Sequence, residues 1–329
     1  MGSSMGTGAT SRAMALGIGA AVLVGAAAQA QIYPAKIVRV INPAAPGGNS
    51  DILFRLLQPK MSELLGQPLV MDYRPGAGSV IGIEATQRAN PDGYTTALVA
   101  AAFQINPAVR AKVNYDPVKD FSMLGQIVDL PAGLVVHPSM PVTSLQALVA
   151  LAKARPGQIL YSSSGPGAIG HLGMELLNWT AGVSTVHVPY KGAGPSIIDL
   201  VGGHVQVSVV SLPLVVGHIQ TGRLRILAQG GARRSESMPA VPTFQESGYP
   251  GFIVSSGFSF IGPAGIPRTI GEKFNSALAQ AVRDPVNRRQ LIAQGADPVG
   301  SSIDEHANFI KAEVDKWTLV AKRAGIRVD

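Results

Sequence analysis

Gly165, Gly167 and Gly170 stand in G-x-G-x-x-G spacing within the segment SSSGPGAIGH, residues 162–171. Between a strand and a helix, that spacing lets backbone approach a dinucleotide pyrophosphate at a helix N-terminus. The fingerprint also needs an acidic residue about 20 positions on, at the end of the next strand, to bind a ribose hydroxyl. Here the next strand-like run ends Thr185-Val186-His187-Val188-Pro189, without Asp or Glu, and Pro166 fills the first variable position. No G-x-x-x-x-G-K-[ST] phosphate loop occurs either. The segment keeps its backbone amides, the hydroxyls of Ser162, Ser163 and Ser164, and the start of a helix. Those groups suit a carboxylate.

Catalytic readings find little support. Ser164 and His171 are neighbours in sequence, yet no G-x-S-x-G elbow is present. His171, at a helix start, reads as packing or bonding to its loop. His137, His187, His204, His218 and His306 read as isolated, and no H-E-x-x-H occurs. His171 and Glu175 have the i,i+4 spacing of two metal ligands, but that pair arises often by chance and reads as structural. Trp179 and Trp317 fall in helix-like runs and read as packing residues. The chain has no cysteine, so disulfides, thiolate metal sites and a lipid-modified N-terminal cysteine are excluded. No cofactor or metal is expected.

The elements that must position these residues alternate. Strand-like runs cover residues 37–41, 69–73, 95–100, 158–161, 185–188, 205–210 and 225–228. Helix-like runs cover 51–65, 80–88, 144–155 with Ser144 as cap, 172–181, 195–201 and 215–221. Three more helix-like runs close the chain at 267–283, 285–294 and 303–324. Such alternation predicts α/β units with largely parallel sheets. Four glycine-rich loops each join a strand to a helix: residues 43–50, 74–79, 162–170 and 190–195. Ligands of open α/β sheets bind beyond the carboxyl ends of the strands. Two loops in each of two blocks therefore predict two domains facing each other across an anion-binding cleft.

Residues 1–30 read as a secretory leader: Arg12, an apolar stretch over 13–28, then Ala28-Gln29-Ala30 as a small-x-small cleavage pattern. The stretch is shorter than the roughly 20 residues that span a bilayer. The remainder suffices for two domains. Export without cysteine points to the periplasm. The formal charge of +7 comes from scattered residues without a basic, aromatic-interleaved stripe, so no nucleic-acid partner is expected.

Longer motifs follow in a fixed order. PAAPGGNSD (43–51) and LGQPLVMDYRPGAGSVIG (65–82) come first, then NPDGYT (90–95), INPA (105–108) and YDPVKDF (115–121). VALAKARPGQ (149–158), HVPYKGAGP (187–195), MPAVPTFQESGYPGF (238–252), GPAGIP (262–267) and KRAGI (322–326) complete the series. Through these the whole chain after the leader resembles the substrate-binding proteins of tripartite tricarboxylate transporters, also called Bordetella uptake gene proteins. The resemblance implies an α/β periplasmic-binding-protein-like Venus flytrap, with residues 31–131 plus 256–329 as one lobe and 132–255 as the other. It implies a monomer that performs no chemistry, holds a small organic acid between its lobes and delivers it to one large and one small integral membrane subunit. A ligand sensor feeding a membrane kinase has the same fold and site and stays open as a second reading. A secreted enzyme is a third.

Carried over by position, the first lobe's ligand contacts are Gly47, Gly48, Asn49 and Ser50, then Gly76, Ala77, Gly78 and Ser79, then Ala101, Ala102 and Phe103. The second lobe's are Ser163, Ser164, Gly165, Pro166, Gly167 and Ala168, the turn Tyr190, Lys191 and Gly192, and Ser211. Asp51 would repel an anion and reads as a helix cap. Relatives usually carry Ser or Thr where Ala168 and Ile169 stand. Many carry an acid where Val210 stands, and a polar loop where Ala101, Ala102 and Phe103 stand. The site therefore reads as apolar. The expected ligand is a carboxylate with an apolar body, such as terephthalate, with Phe103 packing on its ring.

Overall fold

The computed structural model describes residues 1–2 and 33–328. The expected leader thus lies, apart from Met1 and Gly2, outside the described residues.

From Tyr33 onward the alternation is realised. β1 (Val38–Asn42), α1 (Asn49–Leu65), β2 (Leu69–Tyr73), α2 (Val80–Gln87) and β3 (Thr95–Val99) follow the predicted order. Three elements come next that periodicity did not predict: α3 (Ala102–Val109), β4 (Phe121–Asp129) and β5 (Ala132–Val136). The pattern then resumes with α4 (Leu145–Ala154), β6 (Leu160–Ser163), α5 (Ile169–Ala181), β7 (Val186–Pro189), α6 (Ala193–Val201), β8 (Val207–Ser211), α7 (Val216–Gln220) and β9 (Arg225–Gln229). The unpredicted β10 (Phe258–Pro263) precedes α8 (Arg268–Arg283), α9 (Pro285–Ala293), β11 (Asp297–Pro298) and α10 (Ile303–Ala324). Ser144 caps α4 as expected, accepting the Ala147 amide at 3.1 Å. Ser302 and Glu305 form a reciprocal capping box at the start of α10.

Two sheets result. The first has the order β11-β4-β10-β3-β1-β2 and the second β7-β6-β8-β5-β9. β1 runs parallel to β2 and β3, and β6 runs parallel to β7 and β8. β10 is antiparallel to both of its neighbours, and so is β5. Each of these reversed strands is the first one laid down after the chain crosses from the other sheet. The two crossings run side by side: Ala132 donates to the Val254 carbonyl at 3.0 Å and Ser256 to the Leu130 carbonyl at 3.0 Å. A two-stranded ribbon thus joins two lobes.

Apolar clusters cover both faces of each sheet. One cluster does not respect the division. Leu134, Tyr161 and Val209 of the second sheet and Leu172 of α5 share it with Ile105 and Val109 of α3 and with Trp317 and Val320 of α10. The last helix thereby packs against both lobes. No helix among the described residues is long and apolar enough to cross a membrane.

Candidate functional site

The loops after β1, β2, β3, β6, β7 and β8 all leave the carboxyl edges of parallel strands, where α/β sheets present ligand sites. The first loop is built around two polar side chains. Asn42 Oδ1 accepts the Ala44 amide at 3.0 Å and the Ser50 hydroxyl at 3.1 Å. Asp51 Oδ2 accepts the Gly47 amide at 3.1 Å, while its Oδ1 accepts the Tyr73 hydroxyl at 2.6 Å and Arg55 Nε at 3.1 Å. The Tyr73 bond, with Gly47 and Arg55 adding, holds the Asp51 carboxyl below the usual carboxylate range. Asp51 is therefore not the cap itself. Gly48 occupies that position, and Asp51 folds back from the first turn to fix the loop. The Asn49 and Ser50 amides remain without an acceptor among the described residues.

The second loop is strained. Gly76, Ala77, Gly78 and Ser79 all have positive φ (135°, 47°, 62° and 81°), a region that costs side-chain-bearing residues energy. Asn106 Nδ2 donates to the Gly78 carbonyl at 2.8 Å and Arg110 Nε to Asn106 Oδ1 at 3.1 Å, tying this loop to α3.

The third first-lobe segment corrects an expectation. Ala101, Ala102 and Phe103 are not a loop but the start of α3. The Phe103 ring is fully buried, stacked on Tyr115 at 5.9 Å and edge-on to Phe121 at 5.0 Å. Committed to this aromatic core, it is not free to pack on a ligand ring. A small cavity of about 30 Å³ lies beside it, lined by Asn42, Ser50, Ser79 and Ala102. Asn42 is fully buried and its Nδ2 has no hydrogen-bond partner among the described residues. This donor, at a strand end before a glycine loop, was missed in the sequence.

In the second lobe, Ser162 and Ser163 belong to β6 rather than to the loop. The loop amides are largely used internally. Gly165 donates to Ser163 Oγ at 3.1 Å, Gly167 to His171 Nδ1 at 3.2 Å and Ala168 to the Gly165 carbonyl at 3.2 Å. The free donors lie further on, in the first turn of α5, where Ile169 and Gly170 have no acceptor among the described residues. Ala193 and Gly194 stand likewise in the first turn of α6. These free amides stand one to three residues beyond the positions that the sequence names in the two loops. Tyr190 is not a free hydroxyl, since it donates to Asp199 Oδ2 at 2.6 Å. Lys191 is exposed, and Ser211 Oγ is buried without a partner among the described residues. Gly167 packs across the lobe boundary: a Cβ there would lie 2.9 Å from Val328 Cγ2 and 3.2 Å from Val109 Cγ2.

His187 is not isolated, contrary to the sequence reading. It stacks on His171 with ring centroids 3.9 Å apart and on Tyr161 at 4.9 Å, and its Nε2 lies 2.7 Å from Ser163 Oγ. Burial pushes both imidazoles down to about 4, and for His187 the neighbouring His171 adds to it. This serine–histidine pair is no nucleophile and base. Ser163 is 2% exposed and its hydroxyl is shared with the Gly165 amide and carbonyl. Glu175, the nearby acid, accepts from Tyr161 at 2.6 Å and Asn178 at 3.2 Å, so it is not placed to orient a catalytic imidazole.

The arrangement is a set of unpaired first-turn amides on α1, α5 and α6. It can hold an anion without transforming it. The sequence profile of the tripartite tricarboxylate transporter family receptors matches residues 53–326. The protein BugT of Bordetella pertussis is 35% identical over 307 residues, covering 93% of this chain and 94% of its own. The solved structure of R. palustris Rpa4515 with adipate is 33% identical, with a TM-score of 0.75, covering 90% of this chain and 99% of that one. MatC (Rpa3494) from Rhodopseudomonas palustris with bound malate is 27% identical, with a TM-score of 0.71 and coverages of 88% and 99%.

Proposed function

This chain belongs to the tripartite tricarboxylate transporter receptor family, and from that membership we propose that it captures a small dicarboxylate with an apolar body. As a family member it is a periplasmic solute-binding receptor with a two-lobed α/β fold, not an enzyme. The ligand, the site residues and the membrane partners are our reading.

The observation that carries the reading is the pairing of free amides with apolar surroundings. Asn49 and Ser50 on α1, Ile169 and Gly170 on α5, and Ala193 and Gly194 on α6 offer donors at the positive ends of helices. Asn42 Nδ2 and Ser211 Oγ add side-chain donors. Beside them stand Ala44, Ala102, Ala168 and Ile169, which cannot bond to hydroxyl groups on a ligand body. A hydroxylated acid such as citrate would bury polar groups unpaired, at about 1–3 kcal/mol each. The relative that holds adipate supports this direction. Since Phe103 is committed to the core, an aliphatic chain and a flat ring are both accommodated by the proposal.

In this reading residues 31–131 plus 256–329 form one lobe and 132–255 the other, and the ribbon at Leu130–Ala132 and Val254–Ser256 is the hinge. A ligand touching both lobes shifts the population toward the closed form. The monomeric receptor would be released by cleavage after Ala30 and would meet one large and one small membrane subunit.

Calorimetric titration with terephthalate, adipate, malate, citrate and aspartate tests the ligand class. We expect terephthalate or adipate to bind at least tenfold more tightly than citrate or aspartate, a difference of about 1.4 kcal/mol. The reverse order overturns the apolar-body reading. Stabilisation by NAD, run as a control, would reopen the glycine fingerprint.

A further inference from the structure

The His171–His187 stack sits beneath the segment Ser164–Ala168 and holds it from two sides. His171 Nδ1 accepts the Gly167 amide at 3.2 Å. An imidazole that accepts at Nδ1 carries its hydrogen at Nε2. His187 Nε2 lies 2.7 Å from Ser163 Oγ, and that hydroxyl in turn accepts the Gly165 amide at 3.1 Å. The two imidazoles lie 15° from parallel at 3.9 Å, with Tyr161 continuing the stack behind His187. The glycines that these bonds restrain have φ of 135° and 73°, conformations that most residues avoid. Three contacts thus define the path of the chain into the first turn of α5, where the free Ile169 and Gly170 amides stand.

We propose that the stacked His171–His187 pair is the positioning element of the ligand-binding loop, holding it only while both imidazoles are neutral, so that protonation opens the loop and releases the bound carboxylate. This rests on the reading of that loop and the α5 N-terminus as part of the ligand site. Neither histidine touches the ligand in this scheme; both act through Gly165 and Gly167.

Three features make the neutral pair stable and the charged pair unstable. A proton on His171 Nδ1 would point at the Gly167 N–H, setting donor against donor. A second imidazolium 3.9 Å away would repel the first. His171 is also the third residue of α5, at the positive end of the helix, where a cation is disfavoured. The Ser163 hydroxyl donates to the Gly165 carbonyl at 3.1 Å, so His187 donates from Nε2, and protonation adds an Nδ1–H without an acceptor among the described residues. The other ionisable groups on the surrounding elements offer little relief. Glu175 on α5 is bound to Tyr161 on β6 and to Asn178. After β7, Tyr190 is bound to Asp199 of α6, and Lys191 is a further cation. Burial lowers both imidazoles to about 4, in agreement with the geometry.

The experiment uses the isotopically labelled protein with adipate and terephthalate as probes. Nitrogen-15 spectra from pH 7 to 4 should show the Gly165 and Gly167 amides shifting with the midpoint of the two imidazoles, and His171 as the Nε2–H tautomer. The double variant His171→Asn with His187→Gln replaces the two rings by amides that can make the same bonds but cannot titrate. We expect it to leave the two amides unmoved by acid and to keep a larger fraction of its own pH 7 affinity at pH 4.5 than the wild type does. Comparing the two proteins cancels the probe's own protonation. His171→Leu keeps the volume and removes the acceptor. It should lower Gly167 hydrogen-exchange protection and probe affinity roughly three- to tenfold at pH 7, the worth of one such bond. Glycine amides that stay fixed while the imidazoles titrate, or that keep full protection in His171→Leu, would overturn the proposal. Failure of both probes to bind at pH 7 would instead count against the ligand reading, and the spectra would still decide the role of the histidines.

Discussion

Tyr73, at the end of β2, donates its hydroxyl to Asp51 Oδ1 in the first turn of α1 at 2.6 Å. The bond ties the second glycine loop's strand to the first loop, because the other Asp51 oxygen holds the Gly47 amide. A carboxylate at this point would oppose an anionic ligand if it were free. Its charge is instead shared among Tyr73, Arg55 and Gly47. Tyr73→Phe removes the strongest of these restraints without changing ring volume. We expect a roughly three- to tenfold loss of carboxylate affinity, read by calorimetry, with the folded state intact by circular dichroism. The sign with pH follows from the lowered carboxyl. Its contribution to stability is present above the ordinary value of 3.8 and is lost as pH falls below it.

Gly170 fits where no other residue can. A Cβ there would run into the Val209 backbone carbonyl of β8, well inside van der Waals contact. The third glycine of the G-x-G-x-x-G segment therefore serves close helix–sheet packing, as it does in dinucleotide-binding folds. Gly170→Ala must push α5 away from the second sheet. We expect a loss of about 1–3 kcal/mol, the usual cost of overpacking a core, measured by urea denaturation. The shift of α5 also displaces the Ile169 amide, so ligand affinity should fall with stability.

The glycine loops were legible in the sequence because glycine, a preceding apolar run and a following amphipathic run are local signals. The loop contents were not. α3 gives no helical signal because Pro107 stands inside it and no capping side chain precedes Ala102. β5 and β10 carry no alternation beside the crossings: Pro131 precedes β5 with Gly133 inside it, and Gly257 precedes β10. Gly125 and the register shifts of β10 against β4 break the period of β4 in the same way. The histidine pair had no sequence signal. His171 and His187 meet only because β6 and β7 pair with Tyr161 opposite His187, and because α5 docks over that edge. Similarly, the free amides fell in first turns whose limits periodicity fixes only to a few residues.

Acid acts on the fold in two opposed ways. His306 is fully buried, accepts the Gly125 amide at Nδ1 (3.2 Å), and is lowered by burial to about 3. With His171 and His187 lowered to about 4, three imidazoles resist protonation in the folded state. As pH falls from the ordinary 6.5, the unfolded chain takes up protons that the folded chain refuses, so stability declines to about pH 4 for His171 and His187 and to about pH 3 for His306. Asp129, beside the ribbon that joins the two sheets, has the opposite sign. Burial pushes it up to about 6, the Ser255 hydroxyl opposes this, and Asp297 and Glu313 add to it. Its protonation stabilises the folded state as pH falls from about 6 to 3.8. Asp129→Asn removes the cost of an ionised carboxyl above pH 6. We expect a gain on the order of 1–3 kcal/mol at pH 8 that fades toward pH 4, from urea titrations at pH 8, 6 and 4.5.

Trp317 settles whether the lobes can unfold separately. It belongs to the last helix, packed on the first sheet, yet it is fully buried in the cluster that also holds Leu134, Tyr161 and Val209 of the second sheet. Its Nε1 donates to Glu313 Oε2 at 2.8 Å, and neighbouring Lys316 donates to the Ile253 carbonyl of the return crossing at 2.9 Å. A core shared in this way couples the two lobes more firmly than the two-stranded ribbon alone. Unfolding should then be one cooperative transition. The chain has two tryptophans, and Trp179 of α5 is 39% exposed under Arg323. Trp179→Phe leaves Trp317 as the only tryptophan, and its urea transition, excited at a wavelength tyrosine does not absorb, should coincide with that of far-ultraviolet circular dichroism. Trp317→Phe leaves the buried Glu313 oxygen without its donor, at a cost of about 1–3 kcal/mol. Because the phenyl ring also fills less of the shared cluster, this variant is where the single transition should first separate into two.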